Sequence, residues 1–492
     1  MLEHLPSILT TLLLVLHWGI ILGLGLRVSL KRRPTGSALA WLFLITTVPF
    51  VGAVIYLFVG EVWLPSRRIR RAREGREYLR DVAMGIEDRW ELSDDKLPDI
   101  ARHLNAQTNL PMGISALGGN SVELYDQCAK CIRAIVHDID NARESVSILF
   151  YIWHSQGLVR EVEDALIRAV ERGVRCRVLL DSAGSRRFLA SPQARRLRDV
   201  GVELAEALSV GRLRIQLKRI DIRNHRKIVV IDHRIGFTGS MNMADPAYFN
   251  VGKGVGQWID VMARVEGPAA RVLEMTLALD WATEADGAAK SGTEEFLNSI
   301  RDSTIQGSCG DIATQIVPSG PDQQGHLIHE MLITLMYNAR KRMVMTTPYF
   351  IPDEAMLQAI RGAAHRGVRV TLVVPERIDS VLVRHASKAY FEDLLEAGVE
   401  VYQYRGGLLH SKTVSVDDDV VMLGSVNMDK RSFTINFEIS MFVYHAAFLK
   451  DMRALQDSYI RDSIRIEPAA WSRRRVHERI IQNAIQLFSP LL

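Results

Sequence analysis

One string of residues occurs twice in this chain of 492 residues, and it constrains the fold more than any other feature. Six positions are identical in the two copies and equally spaced. In the first copy they are His225, Lys227, Asp232, Gly239, Ser240 and Asn242. In the second copy they are His410, Lys412, Asp417, Gly424, Ser425 and Asn427. Chance rarely repeats a pattern of this length, so the chain predicts two related halves that carry equivalent residues.

The repeat extends beyond this string. Asn141-Ala-Arg143 and Asn338-Ala-Arg340 each precede an apolar, strand-like run, and helical stretches such as Leu158 to Arg172 lie between successive runs. Strands that alternate with helices of this length indicate α/β layers. We therefore predict an α/β fold with two tandem sandwich domains, residues 111–290 and 311–492, related by pseudo-two-fold symmetry.

Two basic segments each fit two interpretations. The first half carries an insertion within Ala207 to Asn224, which either borders the residues of the repeated string and meets lipid phosphates or forms a solvated loop. Its basic residues are Arg212, Arg214, Lys218, Arg219 and Arg223. The C-terminal stretch Trp471 to Leu492 also mixes arginines with apolar residues. It fits an interfacial helix, or a helix that caps the last domain.

Residues 1–60 predict a membrane anchor with two hydrophobic helices. Leu5 to Leu26 and Ser37 to Gly60 contain no formally charged residue, and each reaches the ~20 residues that a helix needs to cross a bilayer. Pro49 is expected to kink the second helix. The alternative is a pair of buried core helices. Residues 61–110 are charged and arginine-rich, which predicts a basic helical linker.

Positive charge flanks both apolar segments. The connecting loop contains Arg27 and Lys31, and a longer arginine cluster begins at Arg67 after the second segment. Lysine and arginine accumulate on the cytoplasmic side of membrane proteins, so the heavier cluster predicts a multi-pass anchor with the large C-terminal part in the cytoplasm, beside anionic lipid. Because the loop is also basic, a hairpin that dips in from the cytoplasmic face is the alternative.

The remaining composition excludes some classes of partner. A formal net charge of +4 is small for a protein that binds nucleic acid, so no nucleic acid is expected. Cys128 and Cys131 form a CxxC pair, but no second pair or nearby histidine cluster completes a zinc site, and helix packing is favoured. No carboxylate cluster is visible, and the sequence predicts neither a metal nor a cofactor.

The residue types in the repeated string suit phosphoryl transfer. On a strand, His and Lys two positions apart point to the same face, so the two copies predict one shared site. One imidazole would attack phosphorus and form a phosphohistidine, and the other would act as general acid and then general base. Lys227 and Lys412, with Asn242 and Asn427, would donate to the non-bridging oxygens where charge develops.

A nucleophilic histidine also needs an acceptor for its second ring nitrogen. Asp260 follows the first string and Glu438 follows the second, and these are the candidate orienting carboxylates. Asp232 and Asp417 lie five residues past the lysines, where turn stabilisation is expected more than chemistry. The residues expected to support the hydrogen-bond network are Ser240 and Ser425.

Both strings resemble the HKD motif, HxKx4Dx6GSxN, of the phospholipase D superfamily and match it in full. More narrowly, the chain is similar over nearly its whole length to bacterial cardiolipin synthases of the two-HKD type. Segments that carry this similarity include Tyr56-Leu-Phe-Val-Gly60, Phe150-Tyr-Ile-Trp153, Thr347-Pro-Tyr-Phe350 and Phe488-Ser-Pro-Leu-Leu492. The resemblance implies phospholipase D-like domains. The catalytic residues that it implies are His225, Lys227, Asp232, His410, Lys412 and Asp417.

The resemblance also implies a reaction, the transfer of a phosphatidyl group between two phosphatidylglycerols to give cardiolipin and glycerol at the bacterial inner (cytoplasmic) membrane. In the family the N-terminal copy usually supplies the nucleophile, which implies attack by His225 and acid–base catalysis by His410. The nearest alternative is a membrane-bound phospholipase D that uses water and releases phosphatidic acid. A nuclease and a non-catalytic lipid-binding scaffold are weaker alternatives, given the apolar segments and two complete motifs.

Overall fold

The computed structural model describes residues 5–31, 35–61, 64–112, 115–209, 221–284, 292–304, 307–322 and 326–487. Most of the basic insertion, including Arg212, Arg214, Lys218 and Arg219, therefore lies outside the described residues, whereas Arg223 is described.

The strands fall into two sets of similar order. Those of the first half are β1 (Leu117–Tyr125), β2 (Ser145–Phe150), β3 (Trp153–His154), β4 (Arg175–Asp181), β5 (Glu203–Ala207), β6 (Ile228–Ile231), β7 (Ile235–Gly239), β8 (Met243–Ala244), β9 (Trp258–Ile259) and β10 (Met262–Glu266). Those of the second half are β11 (Ile312–Ser319), β12 (Arg342–Thr346), β13 (Phe350–Ile351), β14 (Arg369–Pro375), β15 (Glu400–Tyr404), β16 (Leu408–Leu409), β17 (Thr413–Val416), β18 (Val420–Gly424), β19 (Met428–Asp429), β20 (Glu438–Tyr444) and β21 (Ser463–Arg465).

One 15-stranded sheet joins the two halves, in the order β21-β15-β14-β12-β17-β18-β20-β11-β1-β10-β7-β6-β2-β4-β5. β1 and β11 pair antiparallel at its centre. Outward from this pair, the first half continues through β10, β7, β6, β2, β4 and β5, and the second half through β20, β18, β17, β12, β14 and β15. Equivalent strands occupy equivalent places, so the predicted tandem α/β architecture with pseudo-two-fold symmetry is confirmed.

Helices cover both faces of the sheet, which explains why every residue of β2 and of β20 is buried. The helices of the first half are Cys128–Asp140, Val159–Glu171, Arg186–Leu189, Pro192–Val200, Pro268–Glu284 and Thr293–Asp302. Those of the second half are Leu327–Asn338, Glu354–His365, Val381–Ala389, Phe391–Glu396, Lys430–Thr434, Ala446–Arg461, Pro468–Ser472 and Val476–Leu487. Short 3-10 turns occupy Asp94–Lys96 and Val251–Lys253.

The predicted basic linker is helical, with helices Ser66–Trp90 and Asp99–Met112. Both helices belong to the folded body, because Leu79 is buried in a core of the sheet and Leu104 in the core of the second half. Their apolar faces supply the contacts, and the arginines of the first helix occupy mostly its exposed side.

The apolar N-terminal region forms helices of unequal length. Among the described residues, the first of them, Leu5–Leu30, contains in Thr10–Leu30 the one helical stretch long and apolar enough to cross a bilayer. The second expected span is interrupted at Val48, before Pro49, and divides into helices Thr35–Thr47 and Pro49–Ile55 and a π-helical turn Tyr56–Gly60. The break adjoins Pro49, where a kink was expected, and neither piece alone is long enough to cover a bilayer. That both apolar segments anchor the chain in a membrane stays a prediction.

The C-terminal helix Val476–Leu487 packs against helix Val381–Ala389. Ahead of it, Arg474 Nη2 donates to Glu392 Oε2 at 2.8 Å. These contacts fit the capping interpretation, while Ile480 on the outer face remains exposed.

Candidate active site

The two motif histidines lie on one cleft. His225 and His410, with Asn242 and Asn427, line a cavity of about 640 Å³. Each histidine precedes a strand, β6 or β17, and these strands hold equivalent places in the sheet. The duplication thus brings both copies of the motif to one site, as the spacing predicts.

Backbone hydrogen bonds tie the start of each motif to the opposite half. The backbone N of His225 donates to Phe437 O at 2.8 Å, and the backbone N of His410 donates to Ile259 O at 2.8 Å. Asn224 forms a parallel β-bridge with Phe437. Neither half therefore completes its own histidine position.

The side-chain partners of the histidines are crossed in the same way. His225 Nδ1 lies 2.9 Å from Glu438 Oε2, and His410 Nδ1 lies 2.6 Å from Asp260 Oδ1. Each carboxylate faces the histidine of the other motif copy. A carboxylate on Nδ1 fixes the tautomer that leaves the Nε2 lone pair free.

The motif serines hold these carboxylates. Ser425 Oγ donates to Glu438 Oε2 at 2.5 Å, and Ser240 Oγ donates to Asp260 Oδ1 at 2.6 Å. Each serine oxygen in turn accepts a backbone N–H at 2.9 Å, from Ile439 or Val261. The serines therefore orient the carboxylates, and they act on the histidines only through these carboxylates.

Burial shifts the pKa values of the cationic groups downward. The ammonium groups of Lys227 and Lys412 are fully buried, which lowers the pKa of each to about 7. Each Nζ donates to the carbonyl of the histidine two residues earlier, at 2.6 Å for Lys227 and 2.5 Å for Lys412. Burial also lowers the pKa of His225, and it lowers the pKa of His410 to about 4.

The orienting carboxylates stay ionised. Burial by itself would raise the pKa of Asp260, but His410 and Lys412 outweigh it and hold the pKa at about 2. Burial opposes ionisation of Glu438 too, yet His225 and Lys227 lower its pKa. The site thus combines two neutral imidazoles, two carboxylates and two ammonium groups that titrate near neutrality.

The motif asparagines carry unused hydrogen-bonding capacity. Asn242 Oδ1 accepts from the backbone N of Ile152 at 3.3 Å, while its Nδ2 is buried without a hydrogen-bond partner among the described residues. Asn427 Oδ1 is likewise buried and has no hydrogen-bond partner among the described residues. Both side chains line the cleft, where an oxyanion would satisfy an amide N–H.

The motif aspartates are placed differently. The carboxylate of Asp232 accepts the backbone N–H groups of residues 143, 144 and 145 at 2.8–3.0 Å, and Asp417 accepts those of residues 340, 341 and 342 at 2.7–2.9 Å. Both aspartates adopt a left-handed backbone with φ of 48°. This arrangement fits the turn-stabilising role, and neither residue is among those that line the histidine cleft. The motif resemblance implies a catalytic role for these aspartates, but neither carboxylate contacts the histidines or lysines of the motifs among the described residues.

A buried ion pair near the site was missed by the sequence reasoning. Arg226 Nη1 donates to both carboxylate oxygens of Asp280 at 2.7 Å, and Arg226 Nε donates to Glu438 O at 3.0 Å. Asn224 Nδ2 also donates to Asp280, at 2.8 Å. The second motif has Ser411 at the position of Arg226, so the two halves are unequal here. The basic residue between His225 and Lys227 was the available signal.

Aromatic and basic side chains complete the cleft. The ring of Trp258 lies 4.2 Å from that of His410, and Tyr151 meets His225 edge to face at 5.2 Å between centroids. The basic residues that line the cavity are Arg223, Lys253, Lys430 and Arg431. Their positions in the sequence were the signal that could have identified these two aromatic residues. Tyr151 directly follows β2, and Trp258 precedes Asp260 by two residues.

Within the described ranges, no group of three or more His, Cys, Asp or Glu side chains is placed to hold a metal ion. The expectation of no metal and no cofactor stays a prediction. Cys128 and Cys131 lie on helix Cys128–Asp140, where Cys131 is buried.

Comparisons with known proteins agree on one family. The family model described as cardiolipin synthase, PLD-like domain, matches residues 135–252 and 332–459, and the phospholipase D-nuclease N-terminal model matches residues 18–61. The chain is 41% identical over 488 residues to a protein of Proteus mirabilis named cardiolipin synthase A, covering 99% of both chains. It is 40% identical over 478 residues to the cardiolipin synthase A of Yersinia pseudotuberculosis, covering 97% of both.

A solved structure shares the fold at low sequence identity. The phosphatidylserine synthase of Haemophilus influenzae superposes with a TM-score of 0.57 and 14% identity, over 79% of this chain and 97% of that one. This likeness supports the two-half architecture of the catalytic body.

Proposed function

The chain belongs to the cardiolipin synthase family of the phospholipase D superfamily, and from this premise we propose that it condenses two phosphatidylglycerol molecules into cardiolipin and glycerol. The observation that carries the proposal is the crossed pair of histidine–carboxylate contacts on one cleft, His225 with Glu438 and His410 with Asp260. Such a pair offers one nucleophile and one acid–base group to the same phosphodiester.

In the first step, Nε2 of His225 attacks the phosphorus of one phosphatidylglycerol. The bond between phosphorus and the headgroup glycerol oxygen breaks, and protonated His410 gives its proton to that oxygen. Glycerol leaves, and the phosphatidyl group stays on His225 as a phosphohistidine. Glu438 stabilises the positive charge that develops on the attacking imidazole.

In the second step, neutral His410 takes a proton from a hydroxyl of the second phosphatidylglycerol headgroup. The resulting oxygen nucleophile attacks the phosphorus, the phosphorus–nitrogen bond breaks, and cardiolipin forms. His410 ends protonated and His225 ends neutral, so the site returns to its starting state. The reaction is reversible, because one phosphodiester is exchanged for another without a nucleotide.

The charges around the cleft fit a substrate with a phosphodiester. Asn242 lines the cleft, and Lys227 and Lys412 are buried beside the two histidines, to whose carbonyls they donate. In the proposed reaction these three side chains stabilise the charge that develops on the non-bridging oxygens. A bound phosphate anion raises the pKa values of His410 and of both lysines, since its negative charge opposes the effect of burial, which is what chiefly lowers them. Substrate binding therefore helps to supply the proton that His410 donates.

We place the catalytic halves at the cytoplasmic face of the inner membrane. The apolar helix Thr10–Leu30 provides the attachment, and the arginines that follow residue 66 favour anionic lipid. Phospholipid is the substrate class that this location and the family both support.

Product analysis tests the reaction. Purified full-length protein in detergent micelles is given phosphatidylglycerol as the only phospholipid, beside a His225→Ala control. The expected result is cardiolipin and glycerol in equal amounts, and neither in the control. Phosphatidic acid without cardiolipin would mean that water is the acceptor and would replace the synthase by the hydrolase alternative.

A further inference from the structure

We propose that the second apolar segment, residues 35–61, enters and leaves the bilayer on the same side as a re-entrant helical hairpin. Of the two apolar segments, helix Leu5–Leu30 alone then crosses the membrane. The hairpin would be an anchor embedded in the lipid, and it would hold the active-site cleft close to the bilayer surface. Its partner is the acyl-chain region of one leaflet.

The chain reverses direction within this segment. The rings of Trp41 and Tyr56 lie 5.2 Å apart, although fifteen residues of continuous helix would separate them by about 22 Å. The turn is tight, because a β-carbon at Gly52 would lie 2.6 Å from the carbonyl oxygen of Leu44. Val48, with φ of −135° and ψ of 70°, breaks the helix at this point. A segment folded back in this way cannot extend across a bilayer.

Both ends of the segment lie at the same level of helix Leu5–Leu30. Arg27, near the end of that helix, donates to both carboxylate oxygens of Glu61, at 2.7 and 2.9 Å. Two antiparallel spans would instead place Glu61 at the opposite face of the bilayer, roughly 30 Å from Arg27. This ion pair is therefore incompatible with two complete crossings.

Ring contacts give the depth of the hairpin. Phe50, at the turn, has its ring centroid 6.4 Å from that of His17. His17 precedes Arg27 by ten residues, or about 15 Å of helix, which is half the thickness of a typical hydrocarbon core. The hairpin thus reaches about the middle of the bilayer and returns.

The outer surface of the hairpin suits lipid. Its inward residues, Trp41, Ile45 and Tyr56, are buried against Val28 of the spanning helix. Its outward residues are apolar and more than two-fifths exposed: Leu39, Phe43, Phe50, Val51, Val54 and Leu57. An apolar surface of this continuity is unfavourable in water and favourable in acyl chains.

The charge distribution supports the hairpin independently. No lysine or arginine precedes residue 27, whereas basic residues follow both apolar segments. Two spans would put the cluster at residues 27–33 and the cluster at residues 67–80 on opposite sides of the membrane. The hairpin puts both on the cytoplasmic side and the uncharged end of the first helix outside, as the positive-inside rule requires.

The hairpin also sets the distance from lipid to active site. Leu64 is three residues past Glu61, so it lies at most about 11 Å from it. Leu64 packs against the small core of Ile222, Ile435 and Phe437, and the carbonyl of Phe437 holds the backbone of His225. A phospholipid therefore needs little displacement from its leaflet to reach the histidines.

Disulfide cross-linking in native membranes tests the arrangement. In a chain whose four native cysteines are replaced by serine, the pair Arg27→Cys and Glu61→Cys is compared with the pair Thr10→Cys and Glu61→Cys. The hairpin predicts rapid cross-linking of the first pair and none of the second. Two complete spans predict the reverse, and that result would overturn the proposal.

Labelling with a membrane-impermeant maleimide gives a second readout that does not depend on cross-linking. Single cysteines at Ser7, Thr35 and Ser66 are compared in spheroplasts and in inverted vesicles. The expected pattern is labelling of Ser7→Cys from outside only, and of Thr35→Cys and Ser66→Cys from inside only. Labelling of Thr35→Cys from outside would contradict the hairpin. Neither readout depends on which phospholipid the enzyme uses.

Discussion

Glu438 Oε2 lies 2.9 Å from Nδ1 of His225, although the two residues belong to opposite halves of the chain. Asp260 and His410 repeat the relationship in the other direction, at 2.6 Å. Because each half supplies the carboxylate for the other half's histidine, the site forms only when both halves are docked.

The first prediction concerns these carboxylates. Glu438→Gln keeps the shape of the side chain but removes the charge that holds the correct tautomer of His225, and we expect kcat to fall by about 10³–10⁴-fold. Asp260→Asn should act on His410 to a similar extent. Both variants should keep the wild-type circular dichroism spectrum. A loss below tenfold in either variant would mean that its carboxylate does not orient the histidine.

The second prediction separates the roles of the histidines. A phosphatidyl ester of p-nitrophenol has a leaving group that needs no proton, so the first step no longer requires the general acid. With this substrate we expect His410→Ala to release about one nitrophenol per active site and to remain covalently modified. His225→Ala should release none. A stoichiometric burst from His225→Ala instead would reverse the two assignments.

The third prediction follows from the buried lysines. Burial lowers the pKa values of Lys227 and Lys412 to about 7, so both ammonium groups lose their protons as the pH rises above that value. The free enzyme then binds an anionic phosphodiester less well. We expect kcat/KM to fall by about tenfold per pH unit for each ammonium group that binding requires, and so by up to about a hundredfold per unit well above pH 7, with a smaller change in kcat because bound phosphate retains the protons. A flat kcat/KM between about pH 6 and pH 9, at constant thermal stability, would contradict this.

Much of the fold could be predicted because repeated local patterns determine it. The helix expected from Leu158 to Arg172 is present as Val159–Glu171, and the strands expected at the motif lysines begin directly after Lys227 and Lys412, as β6 and β17. The helical period from Ser380 to Ala397 is typical of a single helix, but the structure has two helices there, Val381–Ala389 and Phe391–Glu396, divided at Tyr390. Helical periodicity does not reveal such a break, since both pieces present apolar faces to the same core.

The site was predictable in its residue types but not in its pairing. The sequence order places Asp260 after the first motif but does not assign it to either histidine, and in the structure it faces His410 of the second motif. Only the docking of β1 on β11 brings the halves together in that crossed arrangement. Likewise, the reversal at Val48 depends on contacts with Val28 and Arg27, which hydropathy does not encode.

The fourth prediction tests whether the motif aspartates act in catalysis. Asp232 accepts three backbone N–H groups and adopts a left-handed conformation, which asparagine tolerates and alanine does not. We expect Asp232→Ala to cost about 1–3 kcal/mol of stability and Asp232→Asn to cost less. The folded fraction of each should keep a kcat within a few-fold of the wild type. A folded Asp232→Asn enzyme without activity would favour the catalytic role.

The fifth prediction concerns the ion pair of Arg226 and Asp280, whose side chains are only 4% and 6% exposed. Asp280→Asn leaves the guanidinium buried without its counter-charge, and we expect a loss of about 3–5 kcal/mol in the free energy of unfolding. The matched control is Asp140→Asn, which breaks a solvent-exposed pair with Arg168 and should cost less than about 1 kcal/mol.

Arg226 also donates to the backbone carbonyl of Glu438. Loss of the Asp280 charge that holds Arg226 in place should therefore also disturb the active site. We expect the folded fraction of Asp280→Asn to show a lower kcat with little change in KM, while Asp140→Asn retains both. Urea unfolding in detergent micelles, followed by tryptophan fluorescence, measures the stabilities, and the cardiolipin assay measures the rates. Equal destabilisation by the two substitutions would show that the buried pair does not support this half of the site.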